Sequence, residues 1–186
     1  MAPQKDLWVF GYGSLMWNPD FPYVERRPAL LEGCARRFAL WSTEYRGTAE
    51  RPGLVLTLEP AQDATCRGVA FRIAPAAVEE TLAGLRAREL VTGAYEEAWR
   101  PVRLLDEAGG AAEAVCYLAR LGHPQHAGGL SLADQAAIIA RAQGKRGPNP
   151  DYLFSTLEAL RAEGVRDEEM EDLGARVAGL LKNGAF

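Results

Sequence analysis

The segment Val9-Phe10-Gly11-Tyr12-Gly13-Ser14-Leu15 places two glycines directly after a short apolar run. The run Leu7–Tyr12 predicts a β-strand that the glycines end. Glycine lets the backbone take positive φ values and lets another group approach the main chain closely. Successive N–H groups in such a turn can form a concavity that binds an anion. The segment predicts either a turn that binds a carboxylate or phosphate, or a plain strand-to-turn junction.

The spacing of these glycines argues against two nucleotide-binding motifs. A GxGxxG fingerprint that began at Gly11 would need a third glycine where the chain has Met16. A P-loop would need GK[ST], which occurs nowhere in the sequence. Both motifs hold phosphates through glycines at fixed positions. The sequence therefore disfavours a nucleotide-binding protein.

Beyond this turn, the first two-thirds of the chain predicts mostly β-strands. Segments rich in β-branched and aromatic residues, separated by turn-forming residues, are typical of strands; here they are Arg37–Thr43, Leu54–Glu59 and Arg67–Ile73. Trp99–Leu105 contains Pro101, which predicts an edge strand or a bulged strand because proline cannot donate to a ladder. Ala114–Leu118 is the last predicted strand.

One helix is predicted between the strands and the last third of the chain is mostly helical, and each helix is marked by its start. A proline in the first turn, a capping box, or an Asn or Asp N-cap precedes each one, which predicts helices over Ala76–Arg88, Leu132–Gln143, Asp151–Ala162 and from Asp167 to about Leu181. Strands followed by helices indicate an α+β fold, a small curved sheet or barrel with flanking helices. At 186 residues the chain predicts one domain over 1–186, helical from about residue 131.

Composition narrows the functional classes. The net charge is −4 and no block of Lys or Arg occurs, which argues against a nucleic-acid partner. No apolar run approaches the length of a membrane span, and Met1–Asp6 does not resemble the start of a signal peptide. Three scattered cysteines without CxxC spacing argue against a disulfide framework or zinc site and favour a reducing cytoplasm. We expect all three, Cys34, Cys66 and Cys116, to be buried.

Glu89 stands out by its position on the predicted helix from Ala76. Val78, Leu82 and Leu85 form one apolar face, and the next position on that face is Glu89. Burying a carboxylate is costly and raises its pKa, which makes it a catalytic candidate. The alternative is that the helix ends at Arg88 and that Glu89 is solvated or pairs with a neighbouring arginine.

A family resemblance runs through most of the chain. VFGYGSLMWNPDFPY at residues 9–23 resembles the N-terminal signature of the ChaC-type, glutathione-specific γ-glutamylcyclotransferases. Further segments fall in the family's order over residues 7 to 160, namely RF at 37–38, WST at 41–43, RG at 46–47, PG at 52–53, GVA at 68–70, RE at 88–89 and GPNPDYL at 147–153.

The resemblance implies a fold, a reaction and a site. The fold would be a small mixed barrel with flanking helices. The reaction would convert glutathione to 5-oxoproline and Cys-Gly without metal, nucleotide or other cofactor. Glu89 would be the catalytic residue, and the glycine turn would bind the γ-glutamyl group through Gly11, Tyr12, Gly13, Ser14 and Leu15.

Two further residues are candidates for substrate binding. Arg46 lies in a polar loop, where its planar guanidinium could hold a substrate carboxylate or could be exposed to solvent. Tyr152 falls in the first turns of a predicted helix, where it could line a pocket or pack in the core. Asn149 is better explained as an N-cap than as a ligand.

Metal binding and serine hydrolysis receive little support. His123 and His126 have a suggestive i, i+3 spacing, but Pro124 prevents a regular helix and no adjacent Cys or carboxylate completes a metal site. Ser14 lacks the GxSxG context of a hydrolase nucleophile.

Two alternatives stay open at the level of sequence. A cyclotransferase could prefer γ-glutamyl amino acids or γ-glutamylamines over glutathione. A non-catalytic module could keep the glycine turn to bind a γ-glutamyl or other anionic metabolite, although the acid at Glu89 argues against this. The sequence does not indicate an oligomeric state.

Overall fold

The structure is a computed structural model and describes residues 6–184. Five strands form a closed barrel in the order β1-β3-β2-β4-β5. The strands are β1 (Leu7–Gly11), β2 (Glu25–Ser42), β3 (Gly53–Ile73), β4 (Tyr95–Leu104) and β5 (Ala111–Ala119). The helices are α1 (Val78–Glu89), α2 (Leu132–Arg141), α3 (Asn149–Ala162) and α4 (Glu168–Lys182). The predicted α+β fold, a small mixed barrel with helices, is confirmed.

The chain divides into two compact units. The first unit contains the residues up to Arg36 together with Leu58–His123, and the second contains Arg37–Thr57 and the residues from Pro124 onward. The first unit therefore holds β1, β4, β5 and α1, and the second holds α2, α3 and α4. The long strands β2 and β3 contribute residues to both units.

Strand β1 forms in the first unit because its apolar residues are buried among neighbouring strands. Leu7, Val9 and Phe10 have at most 3% of their surface exposed. The strand pairs antiparallel with β3, from Leu7 opposite Ile73 to Gly11 opposite Val69, and parallel with β5. The parallel pair makes the barrel mixed, and β1 ends at the glycine turn.

Gly68 on β3 fixes how closely that strand approaches the end of β1. A Cβ atom at position 68 would collide with the carbonyl oxygen of Gly11 and would lie 2.9 Å from Cζ of Phe10. Real Cβ atoms do not approach other atoms so closely, so only glycine fits here. The position of the glycine turn thus depends on a second glycine in a different strand.

Strand β3 corrects the prediction of two separate strands. Leu54–Glu59 and Arg67–Ile73 are the two ends of one strand of 21 residues. The segment between them contains Pro60 and Asp63, which are typical turn residues. It is nevertheless extended, and residues 60–65 are partly or fully exposed. The sequence pattern did not predict this middle segment as part of a strand, because it contributes little to the core and is mostly polar.

Strand β4 corrects the prediction for Pro101. The strand is not at an edge, since it lies between β2 and β5 in the closed barrel. Pairing with β2 covers Val102 to Leu104, and Pro101 is the next residue beyond that ladder. On its other side, Pro101 is opposite Glu113 of β5. A proline is tolerated because the described ladder with β2 ends before it.

Helix α1 begins and ends close to the predicted residues. Pro75 opens a single 3₁₀ turn, Pro75–Ala77, and the α-helix continues to Glu89. Leu85 and Thr81 are its buried residues, while Glu79 and Glu80 are exposed as expected. Glu89 is thus the last residue of the helix, one residue beyond the predicted end.

The second unit is built on helices α2, α3 and α4. Their shared core contains the apolar residues Ile139, Leu153, Leu157, Leu160, Leu173 and Val177. The predicted caps of α2 and α4 are confirmed, since Ser131 accepts from the N–H of Asp134 and Asp167 from that of Met170. A two-residue strand pair, β6 (Gln143–Gly144) and β7 (Gly147–Pro148), joins α2 to α3. Within residues 6–184, no helix is long and apolar enough to span a membrane.

Asn149 corrects the prediction of an N-cap. Helix α3 begins at Asn149 itself, and Pro148 occupies the N-cap position. The Oδ1 of Asn149 accepts from the backbone N–H of Leu54, and its Nδ2 donates to the Leu54 carbonyl, both at 2.7 Å. Gly53 makes room for this amide, because a Cβ atom there would lie 2.6 Å from Oδ1. Asn149 therefore joins α3 to the start of β3 within the second unit.

The three cysteines are buried and unbridged, as predicted. Burial raises the pKa of the Cys116 thiol to about 12, and burial also raises the pKa of Cys34. Thiols with raised pKa values carry little thiolate at neutral pH and are poor nucleophiles. They act here as small core residues.

Candidate active site

The glycine turn follows directly from the end of β1. Gly13 precedes a short 3₁₀ helix, Ser14–Met16, and the first hydrogen bond of that turn runs from Met16 N–H to the Gly13 carbonyl at 2.8 Å. The N–H groups of Ser14 and Leu15 come before this bond, where helices have no intrahelical acceptor for them. The 3₁₀ helix itself therefore supplies no acceptor for these two N–H groups, and their role in binding an anion stays a prediction.

Packing within the first unit holds the turn in place. A Cβ atom on Gly11 would lie 3.1 Å from the Cβ of Leu15, so the chain folds back tightly at this point. Leu15 and Tyr12 are 6% and 9% exposed. The Tyr12 hydroxyl donates to the Tyr117 carbonyl on β5 at 3.1 Å. Leu15 and the Tyr12 ring therefore support the turn from the core side.

Arg36 is a further anchor of the turn that the sequence did not single out. Its Nε donates to the Tyr12 carbonyl at 2.6 Å, and its Nη2 donates to the Arg67 carbonyl. The next residue, Arg37, is exposed and pairs with Glu169 in the second unit. Two adjacent arginines thus have different roles because successive residues of a strand point to opposite faces. No local signal distinguishes them.

Glu89 ends α1 in a mostly buried position. Its side chain is 18% exposed, and its Oε1 lies 3.1 Å from Nε of Arg88, which is 19% exposed. The sequence left open whether Glu89 is buried or pairs with a neighbouring arginine. In the structure it is mostly buried and also pairs with Arg88.

Arg88 joins Glu89 to the glycine turn. Its Nη2 donates to the Ser14 hydroxyl at 2.6 Å, and its Nη1 donates to the Asn18 carbonyl at 3.1 Å. One guanidinium thus contacts the acid at the end of α1 and two residues of the segment that follows β1. This contact, between Arg88 and Ser14, joins residues 74 positions apart in the chain and brings together the predicted acid and the predicted turn.

Tyr117 on β5 is a second residue that the sequence did not single out. Its phenol is buried and donates to Oε2 of Glu97 at 3.4 Å. Burial raises the pKa of Tyr117 strongly, and the negative charges of Glu97 and Glu89 raise it further. Glu97 in turn accepts two hydrogen bonds from Arg86, each 2.8 Å, which lower its pKa. A neutral phenol is therefore held close to the charge of Glu89.

A cavity of about 180 Å³ lies beside Arg88 in the first unit. Its walls are residues 19–22 and one side of α1, including Thr81, Leu85 and Arg88. This volume is enough for a few water molecules or a small polar group. The Thr81 hydroxyl is buried and has no hydrogen-bond partner within the described residues.

Arg46 and Tyr152, the other two predicted site residues, contact each other in the second unit. The Arg46 guanidinium lies 5.5 Å from the Tyr152 ring centre, and its Nη1 donates to the Pro148 carbonyl at 3.0 Å. Tyr152 packs edge-on against Phe38 and accepts from the N–H of Leu56. Burial lowers the pKa of Arg46. Both side chains thus have structural partners, and their role in substrate binding stays a prediction.

The arrangement offers acid–base chemistry on a small bound molecule. It supplies one sheltered carboxylate, one guanidinium and a run of backbone donors, all within the first unit. Within residues 6–184, no group of three or more His, Cys, Asp or Glu side chains is placed to hold a metal ion. The geometry also contains no side-chain pair of the Ser–His or Cys–His type among the residues described around Ser14.

Comparison with known proteins agrees with this chemistry. Residues 7–180 match the model of the ChaC-like protein family. The chain is 37% identical to the glutathione-specific γ-glutamylcyclotransferase of Escherichia coli K12, over 94% of this chain and 74% of that protein. It is 34% identical to the human glutathione-specific γ-glutamylcyclotransferase 1, over 94% of this chain and 80% of that protein.

A solved structure shows the same fold. The crystal structure of a γ-glutamyl cyclotransferase specific to glutathione from yeast superposes with a TM-score of 0.86 and 25% identity. The match covers 94% of this chain and 96% of the yeast chain.

Proposed function

The chain belongs to the ChaC-like protein family, and on that premise we propose that it is a γ-glutamylcyclotransferase that degrades glutathione, with Glu89 as its general acid and base. The relatives from Escherichia coli, human and fission yeast are all named as specific for glutathione. The observation that carries the assignment of roles is the contact of Arg88 with both Glu89 and Ser14. It places the acid within one side chain's reach of the glycine turn.

The reaction is an intramolecular aminolysis. The α-amino nitrogen of the γ-glutamyl group attacks the γ-carbonyl carbon of the same group, which forms the new C–N bond of 5-oxoproline. The amide bond to cysteine breaks, and Cys-Gly leaves with that nitrogen. Because nucleophile and electrophile belong to one flexible chain, holding that chain curled supplies much of the rate enhancement.

Proton transfer is the step that needs a side chain. The α-amine is an ammonium group at neutral pH and cannot attack until it loses a proton. The Glu89 carboxylate accepts this proton, and the resulting acid donates it to the departing cysteine nitrogen. The attacking nitrogen gives up a second proton as it becomes the lactam N–H, and the released amine of Cys-Gly takes up a proton to become an ammonium group, so no proton is gained or lost overall. General acid–base catalysis of this kind typically contributes about 10²–10⁴-fold to a rate.

The glycine turn binds a negatively charged group of the substrate. The N–H groups of Gly13, Ser14 and Leu15 bind either the α-carboxylate of the γ-glutamyl group or the oxyanion that develops on the γ-carbonyl. The tight fold between Gly11 and Leu15 supports this role, because it holds the donors in fixed positions. Tyr12 and Leu15 contribute by packing beneath the turn.

Incubation of the purified protein with reduced glutathione tests the proposed function. We expect equal amounts of 5-oxoproline and Cys-Gly to form, without added metal or nucleotide. The same assay with γ-glutamyl amino acids and γ-glutamylamines, at matched concentrations, measures specificity, and we expect glutathione to give the highest kcat/KM. A protein that is inert towards all three substrate classes would contradict the enzyme assignment and favour a binding module that keeps the glycine turn.

Two proposals concern the protein as a whole. We propose that the two units unfold together as one domain, because β2 and β3 contribute residues to both. A single unfolding transition in denaturant is expected, and two separate transitions would disprove this proposal.

We also propose that the protein works in the cytoplasm, which the three unbridged, buried cysteines support. Fractionation of cells that express the protein checks this placement.

A further inference from the structure

We infer that Arg88 is a positioning residue for the reaction: its guanidinium fixes the Glu89 carboxylate relative to the glycine turn. This inference rests on the proposed role of Glu89. It adds a residue whose identity must be arginine, since three different contacts depend on one planar group.

The geometry of the guanidinium carries the inference. Nε lies 3.1 Å from Oε1 of Glu89, Nη2 is 2.6 Å from the Ser14 hydroxyl, and Nη1 is 3.1 Å from the Asn18 carbonyl. All three nitrogen atoms of one rigid fork are therefore engaged, each by a different residue. A lysine ammonium is a compact charge on a flexible stem and cannot reproduce this fork.

The burial of the Arg88–Glu89 pair strengthens the electrostatic interaction between the two side chains. The side chains of Arg88 and Glu89 are 19% and 18% exposed. Interactions between charges strengthen where solvent is largely excluded. The exposed arginine–carboxylate pairs of the same protein differ in this respect, as in Arg176 with Asp172 on α4, which are 48% and 46% exposed. Such surface pairs contribute little to stability or chemistry.

The other titratable groups near Glu89 do not supply the positive charge that Arg88 provides. The Tyr117 phenol on β5 is neutral at physiological pH, since its pKa is raised. Glu97 on β4 is negative, and its charge is already paired with Arg86. The contact with Arg88 brings a guanidinium directly against the Glu89 carboxylate.

A general base must be ionised and correctly aimed to accept the ammonium proton of the substrate. The ion pair and the bonds to Ser14 and Asn18 fix where the Glu89 carboxylate lies relative to the turn. A misplacement of about 1 Å in a reacting group can cost about 10²-fold in rate. Loss of Arg88 should therefore lower kcat much more than it raises KM.

Three variants test this role with glutathione as substrate. For Arg88→Ala we expect kcat to fall about 10²-fold with little change in KM, because the carboxylate is no longer held in place. For Arg88→Lys we expect kcat to fall as well, since the charge is kept and the fork is lost. Arg176→Ala is the matched control and should retain the wild-type kcat and KM.

Chemical rescue separates positioning from a merely structural role. The cavity of about 180 Å³ beside Arg88 would let free guanidinium reach the space vacated in Arg88→Ala. We expect millimolar guanidinium to restore part of kcat in Arg88→Ala, with no effect on Arg176→Ala. If Arg88→Ala does not fold, Arg88→Lys decides, and wild-type kcat in the lysine variant would overturn the inference.

These outcomes are distinct from failure of the proposed function. An inert wild-type protein would refute the cyclotransferase itself. An active wild type together with a folded Arg88→Ala variant of unchanged kcat would refute only the role of Arg88.

Discussion

A Glu89→Gln variant is expected to fold normally and to lose glutathione cyclotransferase activity by about 10²–10⁴-fold in kcat. The amide has the shape of the carboxylate and keeps an oxygen that can accept from Nε of Arg88, 3.1 Å away in the wild type. It cannot take the proton from the substrate's ammonium group, so the nucleophile is never released. Initial rates of 5-oxoproline formation at saturating glutathione measure the loss, with circular dichroism to verify folding.

Glu79→Gln is the matched control for this prediction. Glu79 lies in the first turn of the same helix and is exposed, so its replacement removes the same charge from α1 without touching Glu89. Its only expected effect is a loss of about 0.3–1 kcal/mol of favourable interaction with the helix dipole. A folded Glu89→Gln variant that turns over glutathione as fast as Glu79→Gln would show that another group moves the proton.

The features that the sequence predicted well are those encoded by neighbouring residues. Helix α1 was located within a residue or two, because Pro75 fixes its first turn and its apolar spacing continues to Glu89. The caps at Ser131 and Asp167 lie next to the N–H groups that they bind. The glycine turn belongs to this class as well, since strand and glycines are contiguous.

The features that the sequence missed depend on residues brought together by the fold. Arg88 binds Ser14 across 74 positions of sequence, and Arg36 binds the Tyr12 carbonyl across 24. Tyr117 was one apolar strand residue among several. The residues that neighbour these side chains in the sequence do not indicate which residues they contact in the fold. The resemblance to a family identified the acid and the turn, but the arginine that connects them became visible only in the structure.

Asn149 shows how a correct local pattern can predict the wrong contact. Asn followed by Pro is a frequent helix start, and α3 does begin at this point. The carboxamide nevertheless binds both backbone groups of Leu54, 95 positions earlier. Residues 54 and 149 are each 0% exposed, so this contact is made in the core of the second unit, where water cannot replace it.

An Asn149→Ala variant is therefore expected to lose about 2–5 kcal/mol of unfolding free energy. The substitution leaves the buried N–H and carbonyl of Leu54 without the partners that now lie 2.7 Å away. Each buried polar group left unpaired costs about 1–3 kcal/mol. The loss would be a large share of the roughly 5–15 kcal/mol by which native domains are stable. The midpoint of urea unfolding, at an unchanged m-value, measures it.

Two further variants test whether the loss of unfolding free energy comes from the pairing of Asn149 with Leu54 and not simply from replacing an asparagine. Asn183→Ala removes an exposed amide at the end of α4, and surface changes of this kind stay within about 0.5 kcal/mol of the wild type. Asn149→Asp keeps an oxygen for the Leu54 N–H but has no donor for the carbonyl, so it should remain strongly destabilised. If Asn149→Ala were as stable as Asn183→Ala, the backbone of Leu54 would have to find other partners, and the amide would not be what holds α3 to β3.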